Sequence, residues 1–169
     1  MPLLNVDSLK MYYETLRGKV RAVDDVSFSV EQGEALGLAG ESGCGKSSVA
    51  YTVLRLLPWN AKILGGRVAL DGVDIYSLSE EEMRQQVRWK RISLIPQGAM
   101  NSLTPVYKVG EQISEAILTH EDVSKEEAAD RAAKLLSMVG IHPSRSNHYP
   151  HEFSGGMKQR AMTAMALAC

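Results

Sequence analysis

The chain has 169 residues, a formal net charge of -1 and a pI of about 6.4, so no global basic field is present to hold nucleic acid or an acidic membrane surface. Its two cysteines, Cys44 and Cys169, form neither a ligand spacing nor a disulfide framework, which points to a reducing, cytosolic compartment. Met1-Pro2 begins no basic-then-apolar leader, and the longest apolar candidate, Tyr51 to Trp59, contains Arg55 and Pro58 and falls well short of the roughly 20 residues of a membrane span.

In chain order, Val26, Phe28 and Val30 alternate with Ser27 and Ser29, the two-residue period of a half-buried strand, and Gln32-Gly33 marks a turn. Ala35 to Ala39 is a continuous apolar run closed by Gly40 and reads as a strand buried on both faces. Ser47 to Leu57 reads as a helix that Pro58 stops. Gly65-Gly66 open a second alternating segment through Val68 and Leu70, and Asp71-Gly72 followed by Val73 and Ile75 predicts a hairpin. Ser79 with Glu82 forms a capping box for a helix toward Trp89, and Ile92 to Ile95 predicts a short strand ended by Pro96 and Gln97.

From about Gly110 the pattern is helical. Ser124 and Glu127 make a second capping box, Ala128, Ala132, Leu135, Leu136 and Val139 share one stripe, and Gly140 is the C-terminal cap. A loop from Ile141 to Phe153 leads to Ser154-Gly155-Gly156 and an alanine- and methionine-rich helix. His148 and His151 read as loop residues and not as a metal pair.

The segment Gly40, Glu41, Ser42, Gly43, Cys44, Gly45, Lys46, Ser47 and Ser48 has the spacing of a phosphate-binding loop, placed between a predicted strand and a predicted helix as that chemistry requires. Glycines let the backbone turn its N–H groups inward around phosphate oxygens. Lys46 then reaches the β and γ phosphates, Ser47 ligates Mg²⁺, and the helix N-terminus adds a favourable dipole. Cys44 reads as a tolerated small residue within that loop.

Phosphate loop alone leaves many ATPases and GTPases open, but three further segments narrow the field. FSGGMKQR, Phe153 to Arg160, resembles the signature motif of the ABC ATPase family; ISLIPQ, Ile92 to Gln97, is similar to its Q-loop; and Tyr13, with Tyr12 as fallback, stands where that family places an aromatic on adenine. The resemblance covers essentially the whole chain. It implies an α/β fold of the P-loop NTPase type, with an antiparallel β subdomain, part of a RecA-like core and an α-helical signature subdomain. Residues 1–98 would hold the nucleotide-binding core and 99–169 the helical subdomain. The implied cofactors are ATP and Mg²⁺, the latter held by Ser47 with Gln97. Ser154, Gly155, Gly156 and Met157 would meet a nucleotide on a second ATPase subunit, identical or homologous.

QGAMNSLTPV after the Q-loop and YPHEFSGGMKQR at the signature resemble the importers of dipeptides, oligopeptides and nickel. Met157, where many members have glutamine, fits that group, whereas Gly98-Ala99 replaces its usual acidic residue and proline. The resemblance implies transmembrane permease partners met near Gln97 and residues 99–107, an extracytoplasmic solute-binding protein acting indirectly, no nucleic acid, and a peripheral place on the cytoplasmic side of the membrane. Met100, Leu103 and Val106 are candidate contacts there or members of a small satellite core. DNA-repair and chromosome-type ABC ATPases are the alternative, but they carry long insertions where Gln97 and Ser154 are here joined by a compact helical segment.

The family's metal-binding aspartate, water-activating glutamate and switch histidine have no counterparts in this sequence. Val68 to Asp71 is the only apolar run ending in aspartate, and it reads as a hairpin; His120, His142, His148 and His151 all come too early. We therefore expect an N-terminal piece of a longer subunit, one that binds nucleotide without turnover and whose central sheet has a gap.

Overall fold

Leu4 and Val6 alternate with polar neighbours, and so do Leu9 and Met11, but the two pairs are one step out of phase. Strand β1, Leu4–Thr15, runs through both pairs, and the sequence reading misses it because that step breaks the two-residue period. The step is a bulge at Ser8, whose φ is 47°. Strand β2, Gly18–Val30, carries a matching irregularity at Asp25, φ 58°, and β3, Ala61–Leu70, one at Gly66, φ 99°. Only glycine fits at 66, since a Cβ there would lie 2.5 Å from Leu9 Cα. With all three strands slipping together, Val6, Leu9, Met11, Val23 and Val68 are all buried. Burying each such side chain contributes about 1.5–3 kcal/mol.

This computed structural model describes residues 2–98 and 101–169; its internal contacts divide the chain into Met1–Met83 and Arg84–Cys169, against an expected division at residue 98. In the first unit the sheet is antiparallel, in the order β2-β1-β3-β4, where β4 is Val73–Asp74. The predicted hairpin is present: Asp71 and Gly72 both have positive φ, 46° and 79°, the pairing of a two-residue turn that matches strand twist.

Two predicted strands do not form. Residues 31–40 are all exposed and belong to no strand among the described residues, with Leu36 at 44% and Leu38 at 47% exposure. A strand buried on both faces needs hydrogen-bonded neighbours, and none of the four described strands pairs with Ala35 to Ala39. Ile92 to Ile95 likewise makes only an isolated bridge, Arg88 to Ile92, and Ile95 is exposed.

Helix α1, Lys46–Val53, is shorter than the predicted Ser47 to Leu57. Arg55 turns left-handed at φ 55°, Leu56 N–H donates to the Tyr51 carbonyl at 2.9 Å, and the helix closes before Pro58 acts. The Arg55 side chain is anchored by a 2.7 Å bond to the Leu78 carbonyl and by Glu80 at 3.5 Å. Helix α2, Glu80–Glu82, starts at the predicted capping box: Ser79 Oγ accepts from Glu82 N–H at 3.2 Å and Glu82 Oε2 accepts from Ser79 N–H at 2.8 Å. It continues as a wide turn over Met83–Val87.

The second unit is helical. Val109, Ile113 and Ile117 line α3, Val109–His120; Ala128, Ala132 and Leu136 line α4, Lys125–Met138; and Ala161 and Ala164 face the same core from α5, Gly155–Ala166. Each set recurs at three- or four-residue spacing, the stripe that buries one helix face. Ser124 caps α4 by accepting from Glu127 N–H at 3.1 Å, and Gly140 ends it at φ 72°. Arg160 of α5 donates to the Val139 and Gly140 carbonyls, capping α4 from a neighbouring helix.

Candidate functional site

The phosphate loop, Gly40 to Lys46, emerges from the unpaired run and ends on α1. Gly40, Gly43 and Gly45 all take positive φ, at 156°, 84° and 98°, so the backbone bends in ways a side chain resists. Gly45 has a second reason: a Cβ there would stand 2.3 Å from the Ala22 carbonyl of β2, so the loop is seated against the sheet edge by close backbone approach. Glu41 to Cys44 are exposed, which leaves that stretch of backbone open to a ligand.

Lys46 folds back over the loop. Its Nζ donates to the Gly40 carbonyl at 2.8 Å and the Glu41 carbonyl at 2.5 Å, and lies 3.4 Å from Cys44 Sγ. An ammonium held by neutral carbonyls is readily transferred to a better acceptor, and phosphate oxygens are charged acceptors. Ser47 is exposed at the start of α1. Glycine backbone, an ammonium and a helix N-terminus are the donor set that a polyphosphate requires, so the residues fit that group.

Adjacent tyrosines of β1 point to opposite faces, which separates the two aromatic candidates. Tyr13 shares a 3.3 Å hydrogen bond between its hydroxyl and Ser48 Oγ, at the phosphate-loop helix. Tyr12 is committed elsewhere: its hydroxyl donates to Asp24 at 2.7 Å and Arg21 lies over its ring, 5.7 Å from the centroid. That hydrogen bond, with burial and the Asp24 charge, pushes the Tyr12 phenol above its usual value. One further support of α1 was invisible in the sequence. Tyr76, just beyond β4, donates to the Thr52 carbonyl at 2.6 Å, holding the helix to the β-rich layer, and its burial raises its pKa strongly.

In the second unit, Ser154, Gly155 and Gly156 are exposed at the start of α5, while the neighbouring Phe153 is buried. Ser154 Oγ accepts from Met157 N–H at 3.3 Å, and a Cβ on Gly156 would meet nothing within 4 Å. The turn therefore presents open backbone at a helix N-terminus. Gln97 and Gly98 form an exposed turn, with Gly98 at φ 77°. Of the candidate contacts beyond it, Ala99 and Met100 lie outside the described residues; Val106 is 70% exposed, whereas Leu103 is buried in the helical core. Gln112, which the sequence reading passed over, fixes this segment: its amide bonds Thr104 N–H at 2.8 Å and the Thr104 and Tyr107 carbonyls at 3.0 Å each. A buried amide with this many partners is a strong positional constraint.

Comparison with known proteins follows the same lines. The family described as ABC transporter matches residues 23–169. A probable peptide ABC transporter ATP-binding protein from Sinorhizobium fredii is 50% identical over 170 residues, covering 99% of this chain and 50% of its own length. The oligopeptide transport ATP-binding protein OppD of Bacillus subtilis is 46% identical, with 98% of this chain and 47% of its own length covered. The dipeptide transport ATP-binding protein DppD of Escherichia coli is 43% identical, with 100% and 52% covered. The chain thus spans about half the length of the curated relatives it matches. Among solved structures, the dimeric ATP-binding cassette MJ0796 bound to ADP and Pi superposes with a TM-score of 0.83 at 26% identity, over 98% of this chain and 69% of the cassette.

Proposed function

This chain belongs to the ABC transporter family, and from that membership we propose that it is the nucleotide-binding part of an ATP-driven peptide importer. The observation that carries the reading is the glycine loop at Gly40 to Gly45, with Lys46 resting on carbonyls it can exchange for phosphate oxygens. Lys46 and the loop backbone would hold the β and γ phosphates, Ser47 would ligate Mg²⁺, Gln97 would serve as the family's metal-sensing glutamine, and Tyr13 would stack on adenine. Ser154 to Met157 serve the nucleotide of a second ATPase subunit. Residues near Gln97 and Val106 meet the permease on the cytoplasmic face of the membrane, and a solute-binding protein delivers the peptide from the other side. No helix of the described residues is long and apolar enough to cross a membrane.

Binding without turnover is the second part of the proposal for these 169 residues. Water activation in this family calls for an acidic pair after an apolar strand, and the one apolar run ending in aspartate, Val68 to Asp71, is the turn of the β3–β4 hairpin. The test is paired: a fluorescent ATP analogue with Mg²⁺ and a phosphate-release assay, on this chain and on Lys46→Ala. Binding that Lys46→Ala abolishes, with no phosphate release above that variant, is the expected result. Equal binding by both chains would refute the site; release above the variant would refute the absence of turnover.

A further inference from the structure

Two tight turns stand at the same end of the antiparallel sheet, and each carries a large apolar side chain. Thr15 pairs with Gly18, so Leu16 and Arg17 form the two-residue turn between β1 and β2. Thr15 Oγ1 accepts from Arg17 N–H at 3.3 Å and donates to the Gly18 carbonyl at 2.7 Å. The second turn leads into β3: Ala61 N–H donates to the Pro58 carbonyl at 3.0 Å, with Trp59 and Asn60 between them. Asn60 ties the two turns together, its carbonyl accepting from Glu14 N–H at 2.7 Å and its side-chain amide donating to the Glu14 carbonyl at 3.2 Å.

Leu16 is fully exposed and Trp59 is 95% exposed. One exposed apolar side chain is ordinary, but here two of the largest protrude from neighbouring turns that backbone hydrogen bonds hold in place. The charges beside them are one-sided. Arg17 and Lys19 are exposed, and among the described residues neither side chain enters an ion pair. Glu14, the acidic strand residue nearest these turns in sequence, is already bridged to Lys62 at 3.0 Å. Farther along β2, Arg21 pairs with Asp24 at 3.5 Å. The end of the sheet therefore presents Leu16 and Trp59 with two uncompensated cations.

We propose that this edge is a membrane contact: Leu16 and Trp59 enter the headgroup layer of an anionic lipid surface, and Arg17 and Lys19 meet its phosphates. Separate protrusions on two turns suit a fluid surface, which closes around each, whereas a protein partner must offer a matching pocket for both. Tryptophan settles at the headgroup level of a bilayer, and arginine and lysine lay their apolar stems along it while keeping their charge at the surface. Anionic lipid supplies the charge complement that Arg17 and Lys19 lack. No residue of the phosphate loop takes part, so the contact stands apart from nucleotide binding.

The test sediments this chain with phosphatidylglycerol vesicles and, separately, with phosphatidylcholine vesicles. In Trp89→Phe, where emission reports on Trp59, the same titrations are followed by fluorescence. We expect saturable binding to phosphatidylglycerol with a blue shift of Trp59, and little binding to phosphatidylcholine. Arg17→Gln and Lys19→Gln should each weaken binding about fivefold, Arg17→Lys with Lys19→Arg should retain it, and Leu16→Ser should weaken it at unchanged charge. Salt at about 1 M, where the screening length is near 3 Å, should release the chain. Lys46→Ala, and Leu36→Ser with Leu38→Ser, should bind as the parent does. Equal binding to both lipids, or binding that neither Arg17→Gln nor Lys19→Gln changes, would overturn the proposal. A Trp59 blue shift that grows with protein concentration without vesicles would overturn it too, assigning the edge to a second copy of the chain.

Discussion

Met11 in β1 and Leu38 in the run before the phosphate loop are both large apolar side chains, the first fully buried and the second 47% exposed. Their local sequences promise the same burial. What separates them is hydrogen-bonded company: β1 has a strand on each side, while Ala35 to Ala39 has none among the described residues. Apolar patterning states what a segment needs, and pairing decides whether the need is met.

The comparison can be broken most directly by truncating both sides of it. Met11→Ala should lower unfolding free energy by about 2–5 kcal/mol in urea titrations, as for other core truncations, whereas Leu38→Ala should change it by less than about 0.5 kcal/mol. Comparable losses would show that the run is packed. Gly66→Ala comes next, at about 1–3 kcal/mol, because a Cβ cannot stand 2.5 Å from Leu9 Cα without opening the bulge that keeps three strands in phase.

A smaller effect lies at Glu82, where the bond from Ser79 N–H holds the carboxyl below the usual carboxylate range. A depressed folded pKa contributes stability above the unfolded value and loses it as pH falls through the folded one. In acid titrations Glu82→Gln should therefore show a slightly flatter loss of stability below the ordinary Glu pKa. The smallest stability change is expected for Leu36→Ser with Leu38→Ser, which should leave the unfolding midpoint in place and reduce self-association measured by light scattering.

Much of the site was legible in the sequence because its chemistry is local. The spacing of Gly40, Gly43, Gly45 and Lys46 defines a loop, and Ser154-Gly155-Gly156 defines a helix start, without help from distant residues. Capping at Ser79 and Ser124 and the Asp71-Gly72 turn are local in the same way. What escaped depends on contacts between separate elements: the Ala22 carbonyl that excludes a side chain at 45 and the Tyr76 hydroxyl on Thr52 are far apart in the chain, and the Gln112 amide reaches back from α3 to the loop at Thr104 and Tyr107. β1 escaped for a different reason, its period being reset at Ser8 by a bulge that only the neighbouring strands explain. For Leu103 the sequence left two readings open, surface contact or small core, and the packing of the helical unit decides for the core.

The central claim is that residues 40 to 47 form a working phosphate loop although the run leading into them is unpaired. Hydrogen exchange across residues 31–55, with and without ATP and Mg²⁺, in this chain and in Lys46→Ala, tests it directly. The account predicts rapid exchange at 35–39 without nucleotide, marked slowing at 42–47 when nucleotide is added, and no slowing there in the variant. Exchange at 42–47 that ignores nucleotide, or that slows equally without the Lys46 ammonium, would contradict it.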